Sequence, residues 1–95
     1  MESVLNISAY LFTPITDREQ LRPLLRARAD AASLKGTILL AEEGINMFLA
    51  GDADAVRGFV DDLRTDARFA ALTTKESWSE TQPFGKMLVK LKREI

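Results

Sequence analysis

The stretch Lys35–Gly51, KGTILLAEEGINMFLAG, constrains the fold more than any other part of the chain. Two apolar runs, Lys35–Ala41 and Ile45–Ala50, are separated only by the acidic turn Glu42-Glu43-Gly44. So short a connection returns the second strand alongside the first, antiparallel to it. Gly51 ends the second run, and Asp52 or Asp54 is placed to cap the helix that follows. In that helix Val56, Phe59, Val60 and Leu63 have the i, i+3, i+4, i+7 spacing of an amphipathic face, which fades by Asp66. Phe59 and Leu63 are therefore expected in the core.

The flanking segments extend the alternation of strand and helix. From Val4 to Phe12 the pattern has period two: Leu5, Ile7, Ala9 and Leu11 share one face, and Asn6, Ser8, Tyr10 and Phe12 the other. Pro14 stops this strand. Thr16 and Glu19 have capping-box spacing and predict a helix from near Asp17, carried by Leu21, Leu25, Ala29 and Ala32 to about Ser33. Pro23 conflicts with a regular helix from Asp17 and leaves two alternatives, a later start near Glu19 or a kink. Leu72–Ser79 reads as a strand with Thr74, Glu76 and Trp78 on alternate positions. Gln82-Pro83-Phe84-Gly85 is a turn, and Met87, Val89 and Leu91 alternate with Leu88, Lys90 and Lys92 in a last strand. The order β-α-β-β-α-β plus one strand, with right-handed crossovers, predicts an α+β fold. It is a ferredoxin-like (acylphosphatase-like) α/β sandwich with an antiparallel sheet, both helices on one face and the other face open. Tyr10 and Phe48 are expected on the open side, from adjacent central strands.

Composition removes several chemistries. The 95 residues make one domain, 46% apolar and 28% charged, without repeats or linkers. The sequence contains no cysteine and no histidine, which excludes a disulfide framework, a thiolate nucleophile, a Cys/His zinc site and an imidazole base. No catalytic residue, metal ligand or cofactor is assigned. The absent cysteines fit a cytoplasmic protein, the N-terminus lacks the basic region of a signal peptide, and no run reaches the roughly 20 apolar residues needed to span a bilayer. The net charge of −1 argues against strong non-specific nucleic-acid binding, but the charge is uneven. Up to Thr74 there are 8 basic and 11 acidic residues; from Lys75 onward there are 5 and 3. Lys86, Lys90, Lys92 and Arg93 fall within eight residues. They are either a solvated, lysine-protected strand edge or a phosphate-contacting patch.

Two long motifs, KGTILLAEEGIN and the C-terminal KESWSETQPFGKMLVKLKREI, resemble the N-terminal domain of rhodanese-domain proteins of the tRNA uridine hydroxylase type. The resemblance runs through nearly the whole chain. One departure stands out: many relatives have Gly-Thr-Val where this chain has Met47-Phe48-Leu49. The resemblance implies a longer protein, an enzyme in which this small domain precedes a rhodanese domain bearing the active-site cysteine. It also implies hydroxylation of the wobble uridine of certain tRNAs, or sulfurtransferase chemistry by older description. On that reading residues 1–95 are a single non-catalytic domain cut from a larger chain. Its partners would be the rhodanese domain in cis and, as a candidate, tRNA.

Each candidate contact residue has a plain alternative. Gly44 and Asn46 supply turn geometry, Gly by a positive φ and Asn by bonding a nearby backbone group, or they dock against RNA or the second domain. Tyr10 and Phe48 match the strand positions of stacking aromatics in RNA-recognition motifs. The basic-Gly-aromatic consensus of the third strand is absent, so core packing competes. Trp78 is a packing residue or an interdomain anchor. Lys86, Lys90 and Lys92 are the phosphate candidates. An acylphosphatase reading fails on Thr13-Pro14-Ile15-Thr16, which offers neither an arginine nor the glycines of a phosphate cradle. Two functions remain: an accessory domain that helps place tRNA, or a structural module that packs on the rhodanese domain of a sulfurtransferase without touching RNA.

Overall fold

The structure, a computed structural model, describes residues 2–94. Its elements are β1 (Val4–Phe12), α1 (Arg18–Ala31), β2 (Lys35–Ala41), β3 (Gly44–Asp52), α2 (Ala53–Arg64), a 3-10 turn at Ala67–Phe69, β4 (Thr74–Ser79) and β5 (Met87–Leu91). The sheet order is β4-β1-β3-β2-β5. The four strands of the sandwich pair antiparallel, as expected, with β2 and β3 joined by the predicted hairpin. The last strand differs. β5 lies parallel to β2, Gly36 beside Met87 and Leu40 beside Leu91, so the complete sheet is mixed rather than wholly antiparallel. The 80–86 segment makes this possible because it carries the chain from the β4 edge to the β5 edge across the open face. There the Gln82 amide donates to the Ala50 carbonyl at 2.9 Å.

Period-two alternation divides each strand. Leu5, Ile7, Ala9, Ile38, Leu40, Ile45, Met47, Leu49, Met87 and Val89 turn to one side, and all are 5% exposed or less. Leu21, Leu25 and Ala29 of α1 and Val56, Phe59, Val60 and Leu63 of α2 meet them there. The expected core positions of Phe59 and Leu63 are observed.

The ends of the helices show where local signals were overridden. Asp52 caps α2 as expected, accepting from the Ala55 amide. In α1 the predicted capping box does not form. Asp17 is the N-cap residue but makes no side-chain cap bond, because its carboxylate is taken by Arg68. Pro23 sits inside an unbroken fourteen-residue helix, which simply does without the bond to the Glu19 carbonyl. At the other end Leu34 N–H donates to Ala29 O and Ser33 N–H to Asp30 O, a Schellman closure. It forces Ser33 to φ 56°.

Gly36 is the glycine that the backbone requires. Its φ is +139°, and a Cβ there would lie 1.9 Å from the Phe48 carbonyl oxygen. Gly44 is not such a position. It does not have a positive φ, and it is a buried, paired strand residue between Phe12 and Ala41. The turn carbonyls of Glu42 and Glu43 accept from Ile15 and Thr13, which holds the hairpin against the segment after β1.

Candidate functional site

The sheet face away from the helices follows from the same alternation. It carries Asn6, Ser8, Tyr10 and Phe12 from β1, and Asn46, Phe48 and Ala50 from β3. Thr37 and Leu39 of β2, Lys75, Ser77 and Ser79 of β4, and Leu88 and Lys90 of β5 complete it. Tyr10 and Phe48 are on this side, as the sequence predicts, on neighbouring strands. Ser8 is directly opposite Phe48, and Tyr10 directly opposite Asn46, so the two rings are diagonal neighbours. Tyr10 is 65% exposed, Phe12 66% and Phe48 43%. Core packing therefore does not account for them. Tyr10 and Phe12 meet edge to face, with centroids 6.1 Å apart. Asn46 makes no backbone-satisfying bond; its amide has no hydrogen-bond partner among the described residues, which corrects the turn role expected of it.

The crossing 80–86 segment covers part of this face. Phe84 lines a small hollow on this face together with Asn6, Ser8 and Phe48. The remaining part is a hollow of about 640 Å³, lined by Ser8, Tyr10, Phe12, Asn46, Phe48 and Lys75.

Charge is sorted between the two sides of the sheet. The chain has five lysines, Lys35, Lys75, Lys86, Lys90 and Lys92. Lys35, Lys75 and Lys90 occupy open-side strand positions. Lys86 and Lys92 continue the β5 alternation one residue beyond each end of the strand. The bonds from Gly36 N–H to Lys86 O and from Lys92 N–H to Leu40 O prolong the ladder through both. All five are exposed, and among the described residues every side-chain ion pair is made by an arginine, none by a lysine. Asp52 is the one carboxylate at an open-side strand position, at the far end, and it is engaged in capping α2.

The arginines serve the other side. Arg22 donates to the Val89 carbonyl and Arg18 to the Lys92 carbonyl, closing the outer edge of β5. Arg68 binds both Asp17 and Asp66. Its hydrogen bonds hold both carboxyls below their ordinary value against a smaller opposing effect of burial, and they raise its own pKa further. Arg57 pairs with Glu76 at 3.0 Å, lowering the Glu76 carboxyl, and its guanidinium lies 5.8 Å from the Trp78 ring centre. Trp78 pairs with Leu5 and so belongs to the helix side. The structure therefore separates Trp78 from Tyr10 and Phe48, brings Asn46 beside them, and leaves Gly44 as a strand position next to Phe12. Lys75, Lys35 and Phe12 are the residues that sequence reasoning did not select. The signal for Lys75 was present in its parity, opposite to Thr74, Glu76 and Trp78.

This arrangement can bind an anion-bearing partner with flat apolar groups. Among the described residues no group of three His, Cys, Asp or Glu side chains could hold a metal. No helix of the described residues is long and apolar enough to cross a membrane.

Solved structures with this fold include "BlrP1 BLUF" (TM-score 0.79, 12% identity, 98% of this chain and 66% of that one). Another is an acylphosphatase from Bacillus subtilis (TM-score 0.72, 16% identity, 90% and 98%). At these identities the likeness is one of fold. Sequence relatives are much nearer. A "tRNA uridine(34) hydroxylase" of Delftia acidovorans is 66% identical over all 95 residues, which make up 36% of its length. That of Cupriavidus necator is 61% identical over 92 residues, or 97% of this chain and 33% of the relative. The chain thus spans about a third of the length of the curated relatives it matches. Residues 4–95 match the family described as "UPF0176 acylphosphatase like domain", and the chain belongs to that family.

Proposed function

We propose that this chain is the non-catalytic accessory domain of a tRNA uridine(34) hydroxylase, and that its open sheet side helps to place the tRNA for a rhodanese-type catalytic domain in the same polypeptide. The relatives' names supply the reaction and the substrate; their length leaves about two-thirds of the polypeptide for the domain that would carry the chemistry. The absence of cysteine and histidine from this chain supports assigning the reaction elsewhere.

The observation that carries the placing role is the sorting of charge. All five lysines line one side of the sheet and make no ion pair among the described residues, while seven of the fourteen carboxylates are paired with arginines. Edge protection accounts for Lys75 on β4 and for Lys86, Lys90 and Lys92 along β5, since these are the two edge strands; it does not account for Lys35, which stands on the same face at the start of the inner strand β2.

The test is tRNA binding by a full-length relative in which Lys86, Lys90 and Lys92 are changed together to Glu, across a salt series. Each lost phosphate contact lowers the slope of log affinity against log salt by roughly 0.7–0.9, so three contacts lower it by about 2–3. Unchanged affinity with an unchanged slope rejects the placing role. It would leave the second reading, a structural module that packs on the catalytic domain through the exposed Tyr10 and Phe12.

A further inference from the structure

The open side is organised in rows that run across the strands. One row reads Lys75, Ser8, Phe48, Thr37, Leu88, from the β4 edge to the β5 edge. The next reads Tyr10, Asn46, Leu39, Lys90. Each row holds one exposed aromatic ring and one unpaired lysine, and the two lysines stand on opposite edges. With strands about 4.8 Å apart, Lys75 and Lys90 are separated by roughly 19 Å across the sheet, with both rings between them. Asn46 sits beside Tyr10 with its amide unpartnered among the described residues. The hollow of about 640 Å³ is lined by Tyr10, Asn46, Phe48 and Lys75 and has the size of a small-ligand site; Lys90 stands outside its lining, beyond Leu39 on the β5 edge.

We propose that this hollow binds unpaired nucleotides of an RNA single strand. Bases stack on Tyr10 and Phe48, the Asn46 amide bonds a base edge, and Lys75 and Lys90 take phosphates on either flank. This rests on the RNA-placing reading above and specifies the state of the RNA. In an A-form duplex the bases are stacked inside and their faces are closed to a protein, so rings lying on a flat sheet gain nothing there; a splayed single strand offers both faces. Stacking is tolerant of base identity because every base has a π-face, and a lone amide adds modest selectivity. Charge favours this occupant over a packed protein surface. The middle of protein–protein interfaces is depleted in lysine, whereas here lysines border the rings on both sides without a carboxylate among them.

The experiment is an NMR titration of the 15N-labelled chain with a short unstructured RNA and, separately, with a duplex of the same length. Dissociation constants follow from the shifts, and millimolar binding is within reach. Tyr10→Thr and Phe48→Thr keep β-forming side chains at both sites, so the sheet survives the loss of each ring. The expected result is a set of single-strand-dependent shifts at Ser8, Tyr10, Asn46 and Phe48, weakened roughly 5- to 150-fold by either substitution, with duplex binding unchanged.

Three results overturn the proposal. Equal binding of both RNAs, blind to the ring substitutions, removes stacking but spares the placing role if lysine reversal still abolishes tRNA binding by the full-length relative. Absence of any shift with either RNA removes the hollow as an RNA site. Ring substitutions that release the rest of the polypeptide from this domain while RNA binding stays intact assign the face to a protein partner.

Discussion

Alanine at Gly36, Gly51 and Gly58 makes a graded test of the backbone argument, because the three glycines meet different surroundings. At Gly36 a Cβ would lie 1.9 Å from Phe48 O, 2.8 Å from Phe48 C and 2.9 Å from Leu49 Cα, all backbone atoms of the neighbouring strand. Nothing there can rotate away. Holding an alanine at φ +139° adds strain of about 1–3 kcal/mol, and pushing β3 aside adds about 1–3 kcal/mol more. The expected loss is therefore about 2–6 kcal/mol, from a total of about 5–14 kcal/mol for a domain this size. At Gly51 the near contact is the tip of the Leu34 side chain, at 2.7 Å, which can turn. A loss of about 1 kcal/mol is expected. At Gly58 a Cβ meets nothing within 4 Å, on the exposed face of α2, so alanine should stabilise the chain by about 0.5–1 kcal/mol. Urea unfolding followed by circular dichroism reads all three, with an unchanged m-value required for comparison. Gly36→Ala within about 0.5 kcal/mol of the parent, or a destabilised Gly58→Ala, would refute the reasoning. Because the Gly36 clash falls on the Phe48 carbonyl, the amide signals of Phe48 and Leu49 should shift first in any Gly36→Ala protein that remains folded.

Four further outcomes are expected. Ser33→Gly relieves a left-handed residue in the Schellman closure of α1 and should stabilise by about 0.5–1 kcal/mol after the added freedom of the unfolded chain is counted; a loss of stability would contradict the cap assignment. Phe59→Ala opens a cavity beneath α2 and should cost about 3–5 kcal/mol, so a denaturation midpoint that hardly moves would show that the helix packs differently. Asp17 and Asp66 are held below 3.8 by hydrogen bonds from Arg68, so the unfolded chain binds more protons than the folded one between the two values. Their contribution is complete above the unfolded value and is lost as pH falls through the folded one: urea midpoints should drop from about pH 5 to about pH 2, less steeply in Arg68→Gln, and identical slopes would reject the pairing. Finally, the chain should show no acyl-phosphate hydrolysis above buffer, since Thr13-Pro14-Ile15-Thr16 presents no arginine; turnover that survives repurification would overturn this.

The elements and their inner faces were legible in the sequence because they are set by neighbours along the chain. Period two in Val4–Phe12 assigned Leu5, Ile7 and Ala9 inward and Tyr10 outward. The helical spacing of Val56, Phe59, Val60 and Leu63 placed the face of α2, and the short acidic turn Glu42-Glu43-Gly44 made β2 and β3 antiparallel neighbours, although the structure shortens that turn by giving Gly44 to β3. The composition excluded thiolate and imidazole chemistry outright. What needed the tertiary structure was each relation between segments distant in sequence. The parallel pairing of β5 depends on the 80–86 segment crossing the sheet, and its turn residues permit that path without dictating it. Asp17 gives up its cap because Arg68, fifty-one residues away, offers a charged partner. Gly36 is required by the nearness of the Phe48 carbonyl rather than by a local turn, whereas Gly44, the glycine that looked like a turn residue, is a paired strand position. The candidate site belongs to the same class. Lys35, Lys75 and Lys90 become one surface only when pairing register gives three separate strands the same parity, since inter-strand hydrogen bonds, unlike period two, join residues that have no neighbourhood along the chain.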